Sequence, residues 1–236
     1  MKIYLLKIIQ LCLISLILLS LTGGSCRRSL MYNPSLNMPS HVPNQGGDYW
    51  LFMGTGLYPE ARPEKVGQTH QIGFSDGTTV PLWKGVATNL LLCAGTDNYI
   101  VCPGLSFYLP TGNDKMPVII NARYQWAKEY GWFNGEGIGV ATQIGTYIYN
   151  NDKASLYLMS GFGYASANDY DESVNEGKGG HIDGNGWCIL NNLGYSIILS
   201  EKASINLESC IIYQYSNYDQ IGRLVFSPNI SVLFKI

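Results

Sequence analysis

From Ile205 to Tyr215 the odd positions carry Ile205, Leu207, Ile211, Tyr213 and Tyr215, with Ser209 the exception. The even positions carry Asn206, Glu208, Cys210, Ile212 and Gln214. After Asp219-Gln220-Ile221-Gly222 the apolar set moves to the even positions: Leu224, Phe226, Ile230, Val232, Phe234 and Ile236. Alternation of period two sustained this long specifies β-strands with one greasy face and one polar face. Two such strands around a short turn exceed an average globular hairpin and match the length that crosses a bilayer. What remains to be decided is whether the greasy face meets a protein core or lipid.

The same alternation recurs upstream. Ten strands are predicted, at Asp48–Leu57, Thr69–Ser75, Lys84–Ala94, Tyr99–Leu109, Val118–Ala127, Gly137–Tyr149, Ser155–Ala167, Trp187–Leu199, Ile205–Tyr215 and Arg223–Lys235. Eight strands is the alternative count, because the first two are the weakest and Pro59, Pro63 and the Gly-Thr-Thr-Val-Pro stretch to Pro81 beside them admit a different arrangement. The apolar faces of the stronger strands, such as Ile138, Val140, Ile144 and Ile148, carry no charge. The faces opposite are mostly Gly, Ser, Asn and Gln, whereas a soluble barrel or sandwich dresses its polar face with Lys, Glu and Asp. Charged residues are 14% of the chain, against roughly 25% in an ordinary soluble domain, and most sit in connections. The pattern predicts an all-β fold, an antiparallel up-and-down transmembrane β-barrel of residues 48–236, with its greasy face on lipid. Connection lengths agree. Asn151-Asp152-Lys153 and Ser200 to Ala203 are short, as periplasmic turns are. Lys128–Glu136 and Tyr170–Gly186 are longer, as outer loops are. With ten strands, both termini of the barrel fall on the periplasmic side.

The N-terminus reads as an export signal. Lys2 and Lys7 precede an apolar run from Ile8 to Leu21, then Thr22-Gly23-Gly24-Ser25-Cys26. Residues 1–25 are expected to be a signal peptide and residues 26–47, rich in Pro and Asn, a tether. The leader resembles a bacterial lipobox with Cys26 as the lipidated residue, although Gly23 stands where that pattern carries Leu; an ordinary cleaved signal or an uncleaved anchor is the other reading. Arg27 and Arg28 follow, and the resemblance implies the outer membrane because no retention Asp is present. Cys26 with Tyr32-Asn33-Pro34 and Asn37-Met38-Pro39 resembles the start of small outer-membrane β-barrel lipoproteins of the Bacteroidetes type. The closing Val232-Leu233-Phe234-Lys235-Ile236 resembles the last strand of such barrels, with Ile where Phe is usual. That implies outer-membrane lipid and the barrel-insertion machinery as partners.

Candidate site residues follow from parity. Tyr99, Trp126, Tyr164, Trp187 and Tyr215 fall on lipid faces near the outer rim, where an apolar ring with a polar tip suits the interface. Phe107 and Phe234 fall near the inner rim. Arg123 and Glu208 are the mid-strand charges of the inner faces, and a buried charge needs a partner, so an Arg123–Glu208 lumen pair is expected. Cys93 and Cys102 flank Gly95-Thr96-Asp97-Asn98. If the turn centres between Asp97 and Asn98 they face each other and can form a disulfide, which export permits; two free lumen thiols is the alternative. Cys188 and Cys210 do not come opposite each other.

No catalytic constellation, metal site or cofactor motif is expected. The His residues are scattered at His41, His70 and His181, and Asp169 to Ser173 fails the EF-hand pattern at Val174 and Gly180. Net charge is −2, and −4 without Lys2 and Lys7; no basic tract points to nucleic acid. The function expected is a structural or surface-interaction role without a wide pore. The competing classes are a soluble periplasmic lipocalin-like or sandwich lipoprotein binding an apolar ligand, and a lipid A-modifying outer-membrane enzyme.

Overall fold

The structure, a computed structural model, describes residues 49–60, 69–83, 85–94, 98–112, 117–129, 136–171, 180–217 and 220–236. The signal peptide, the tether, Cys26 and the core of the long loop at 172–179 lie outside the described residues.

Ten antiparallel strands close into one barrel. They are β1 (Trp50–Glu60), β2 (Thr69–Trp83), β3 (Val86–Ala94), β4 (Asn98–Leu109) and β5 (Val118–Glu129). β6 (Glu136–Asn150), β7 (Ala154–Asp171), β8 (Gly180–Ser200), β9 (Ala203–Ser216) and β10 (Ile221–Lys235) complete it. Each strand pairs with its sequence neighbours, and β1 closes the ring on β10, Trp50 opposite Lys235 and Gly56 opposite Asn229. Closure leaves no unpaired edge along the wall, which an open sheet of this length would carry. The first and last strands meet at the end that also holds the turns at 84–85, 151–153 and 201–202 and the longer connection at 110–117, here the terminal end; the connections at 130–135 and 172–179 are at the loop end. The two short turns and the two longer connections named from the sequence thus fall at opposite ends as expected, while 110–117 departs from the rule that this end carries only short turns.

The strands are staggered. The hydrogen-bonded row through Asp76 reaches β7 at Ala154 by way of β1, β10, β9 and β8, through Met53, Val232, Ile205 and Ile197. By way of β3 to β6 the same row reaches β7 at Ser166. A row that fails to meet itself by the twelve residues between Ala154 and Ser166 means tilted strands, as barrel closure demands.

Side chains alternate as the sequence predicts. Ile138, Val140, Ile144 and Ile148 are exposed on β6, while Ala141, Gln143 and Tyr147 between them are buried. On β9, Leu207, Ile211 and Tyr213 are exposed, and Asn206, Glu208, Cys210 and Ile212 are buried. The barrel is greasy outside and closed inside. Three register shifts, at Pro81/Trp83, Tyr147/Tyr149 and Ile198/Ser200, all lie near the terminal end. A bulge lets two consecutive residues share a face, and the pairs Leu82-Trp83 and Ile148-Tyr149 are each exposed together.

Three strand boundaries differ most from expectation. β2 continues from Ser75 to Trp83, because Thr78, Thr79 and Val80 are good strand formers and the interrupting Pro81 sits at the register shift, where a missing N–H is tolerated. The stretch Tyr170–Gly186 is not all loop: β7 and β8 stay paired out to Asp171 and Gly180. Beyond the greasy band, small and polar residues still pair, so the loss of apolar alternation marks the end of the band and not of the strand.

Candidate functional site

The lumen divides into layers. Toward the terminal end, Trp50, Phe52, Leu91, Tyr108, Ile119, Tyr147, Met159 and Leu233 belong to one buried apolar cluster. Toward the loop end, Ala141, Cys188, Leu190, Cys210 and Ile212 form a second. Glycines make room for the large rings. A Cβ at Gly194 would fall on the Tyr157 ring, and one at Gly77 on the Phe52 ring.

Between the layers runs a hydrogen-bonded chain built from inward positions of β5, β6, β7, β8 and β9. Arg123 Nη2 donates to Gln143 Oε1, and Gln143 Nε2 donates to Asn192 Oδ1 at 2.9 Å. Asn192 Nδ2 donates to Glu208 Oε1 at 2.7 Å. From the other side Tyr157 OH donates to Glu208 Oε2 at 2.5 Å. Asn206 Nδ2 donates to the Tyr157 oxygen at 3.0 Å, and Ser196 Oγ donates to Asn206 Oδ1 at 2.9 Å. Every link points its proton toward Glu208, so the carboxylate is the common acceptor at which both arms converge. A buried carboxylate is tolerable only with such donors and a countercharge. Both Arg123 and Glu208 are buried, and this chain joins them through Gln143 and Asn192. Cys210 Sγ also donates to Asn192 Oδ1, at 3.0 Å. A second ladder, Asn89 Nδ2 to Ser106 Oγ to Asn121 Oδ1 with both bonds at 2.7 Å, stitches β3, β4 and β5.

Gln143, Asn192 and Tyr157 were not singled out in the sequence. Their inward parity was visible, but not which of many inward amides stands between the two charges, because that depends on stagger. In chemical terms the chain fixes charge and closes space. Ser196 and Ser106 donate to amide oxygens, and an amide oxygen does not take up a hydroxyl proton to make a nucleophile.

The disulfide expectation needs correction. Cys93 stands opposite Ile100, and Cys102 opposite Leu91. The register therefore centres between Thr96 and Asp97, which makes the two cysteines diagonal neighbours. Diagonal positions are about 7–8 Å apart, beyond the usual reach of a disulfide. Cys93, Cys102, Cys188 and Cys210 are all buried, and none of the four is in a disulfide.

The five rim aromatics fall into two groups. Tyr99 and Trp126 meet edge-on across β4 and β5 with ring centroids 5.5 Å apart. Tyr164, Trp187 and Tyr215 lie in one row across β7, β8 and β9, with Trp187 stacked on Tyr215 at 5.7 Å. Phe162 and Tyr213 extend the second group, their ring centroids 6.3 Å and 5.7 Å from that of Trp187. Just past Trp126, Lys128 Nζ lies 3.0 Å from Glu136 Oε1, across the mouth of the β5–β6 hairpin. At the terminal end Trp83, Tyr149 and Phe234 are exposed, and Phe107 pairs with Val86 on β3 and Ile120 on β5.

No protein-family model and no curated protein sequence matches the chain. Among solved structures it is similar to Ail, the attachment invasion locus protein of Yersinia pestis, with 13% identity and a TM-score of 0.41. That match covers 80% of this chain and 99% of the other. It is similar to the outer membrane protease OmpT from Escherichia coli, with 8% identity, a TM-score of 0.41, and coverage of 80% and 93%. It is also similar to Neisserial surface protein A, with 7% identity, a TM-score of 0.39, and coverage of 80% and 96%. The barrel assignment rests on the chain's own strand register, which closes without any of them.

Proposed function

We propose that the chain is a small bacterial outer-membrane β-barrel lipoprotein, anchored through Cys26, with a structural or surface-interaction role and no wide pore. The observation that carries this reading is the inversion of faces: a continuous exposed apolar surface on a closed barrel whose interior is filled. Leu90, Leu105, Tyr124, Ile144, Leu158, Leu193, Ile211 and Phe226 are all exposed, on strands β3 to β10. A monomeric soluble protein rarely exposes a contiguous apolar patch above a few hundred Å². A lipocalin-like carrier would need the reverse arrangement, a polar exterior and an apolar cavity. Here the positions that would line a cavity hold the Arg123–Glu208 chain and two packed clusters. An interior of this kind suits a small barrel filled by side chains.

The exported N-terminus supports delivery to the outer membrane, and both barrel termini then face the periplasm, with Tyr164, Trp187 and Tyr215 at the outer interface. The surface-interaction role draws on the β7–β8 hairpin, which stays paired beyond that aromatic row to Asp171 and Gly180. The test is fractionation of cells expressing the full chain. The protein is expected to resist carbonate extraction and to migrate differently on gels before and after boiling. A version lacking residues 1–26 that folds in water without detergent would overturn the reading. For the enzyme alternative the readout is lipid A mass on expression, which this account expects to be unchanged.

A further inference from the structure

Among the polar residues that interrupt the apolar belt, two features stand out by their hydrogen-bonding demand. On β2, Asp76 is exposed and faces outward between Phe74 and Thr78. Among the described residues it is the one charged side chain facing outward within the belt. An ionisable group on a lipid-facing surface is costly and marks a site of interaction. On β7 and β8, Ser160 and Asn191 face outward as a cross-strand pair. Ser160 Oγ donates to Asn191 Oδ1 at 2.6 Å, which leaves the Asn191 amide hydrogens without an acceptor among the described residues. One feature is an acceptor in need of donors; the other holds unspent donors.

Their placement is what connects them. In the closed ring β7 stands five strands from β2 in either direction, so the two walls are diametrically opposed. The row through Asp76 reaches β7 at Ala154 one way and at Ser166 the other. Ser160 is midway between these, so it lies at the height of Asp76 on the opposite wall. On β8, Asn191 is the direct partner of Ser160 and so lies close to the same height. An acceptor and a donor at equal depth on opposite walls cannot meet within one barrel. They meet when one barrel stands beside a second in the same orientation.

We propose that copies of this chain associate side by side in the membrane, Asp76 of one against Ser160–Asn191 of the next. A twofold contact through either wall would set like against like, two carboxylates in one case, whereas a head-to-tail contact matches carboxylate to amide. Because the two walls are opposed, the contact does not close on itself and builds a row of barrels. This rests on the membrane reading above.

The experiment uses the full chain in native membranes, with Thr78→Cys, Leu158→Cys and the double variant, which leave Asp76, Ser160 and Asn191 in place, linked by a short thiol-specific reagent. The four barrel cysteines are buried and Cys26 is present in every sample, so the unsubstituted chain sets the background. Expected is a ladder of dimers, trimers and higher products from the double variant. Mixed single variants should give one dimer, and each single variant alone should stay at background. Dimers from a single variant alone would replace the row with a twofold contact. Absence of any product, while both thiols react with a membrane-permeant maleimide, would show that lipid covers these walls. A product containing another protein would assign the surface to that partner. All three overturn the proposal. Heat-dependent migration of each variant reports separately on the membrane reading. Should Thr78→Cys fail to assemble, Phe74→Cys with Phe162→Cys carries the same test, since each lies two residues nearer the loop end than Asp76 or Ser160 on its wall.

Discussion

Glu208 accepts from Asn192 and Tyr157 and, through Gln143, shares a chain with Arg123. Replacing Glu208 with Gln removes the countercharge and sets amide hydrogens against those donors. The expected cost is about 3–5 kcal/mol, the range for leaving one member of a buried ion pair alone. Unfolding in urea from detergent micelles would register it as a lowered midpoint. Joint replacement of Arg123 by Met and Glu208 by Leu should recover much of the loss, because neither charge is then stranded; a double variant as weak as Glu208→Gln would show that the pair is not the unit. Gly194→Ala is expected to cost about 1–3 kcal/mol by overpacking, since its Cβ would meet the Tyr157 ring, which Glu208 and Asn206 hold in place.

At the scale of the strand, the outward faces of β6 and β9 can be compared with their inward ones. Ile144→Lys on the outward face of β6 is expected to cost about 2–4 kcal/mol and to cut assembly into membranes. Lys at the exposed turn position Asp152 should be near neutral, and equal yields of the two heat-shifted proteins would count against lipid contact at Ile144. How much of these strands was legible in the sequence follows from what alternation encodes. The closing hairpin, β6 and the greasy stretches of β7 and β8 were readable because each presents a lipid-like face of period two. The outer ends of β7 and β8, Asn168 to Asp171 and Gly180 to Gly186, were not, because their sequence no longer alternates apolar with polar residues. The second half of β2 was hidden by Pro81, whose bulge makes it acceptable. Register across the Gly95–Asn98 turn is set by where the turn centres, and a shift of one residue in that centre moved Cys93 two positions from Cys102. Inward parity was legible for Arg123 and Glu208. The bridging roles of Gln143 and Asn192 were not, since stagger decides which inward residues of neighbouring strands meet.

For the whole molecule, the account makes the barrel an object with lipid outside and side chains inside, so that no solute path is built into it. Reconstituted in planar bilayers, it is expected to show no large steady conductance; a wide stable pore would contradict the filled lumen. The central claim is the direction in which the faces point, and the closing hairpin is the place to measure it. Single spin labels placed in turn at positions 205 to 215 of the protein in lipid vesicles would report collision rates with oxygen, which concentrates in the bilayer. The account predicts a rate that alternates along β9, high at Leu207, Ile211 and Tyr213 and low at Asn206, Glu208 and Ile212. An alternation of the opposite phase, or a uniform rate with full access to a water-soluble reagent at the odd positions, would contradict it.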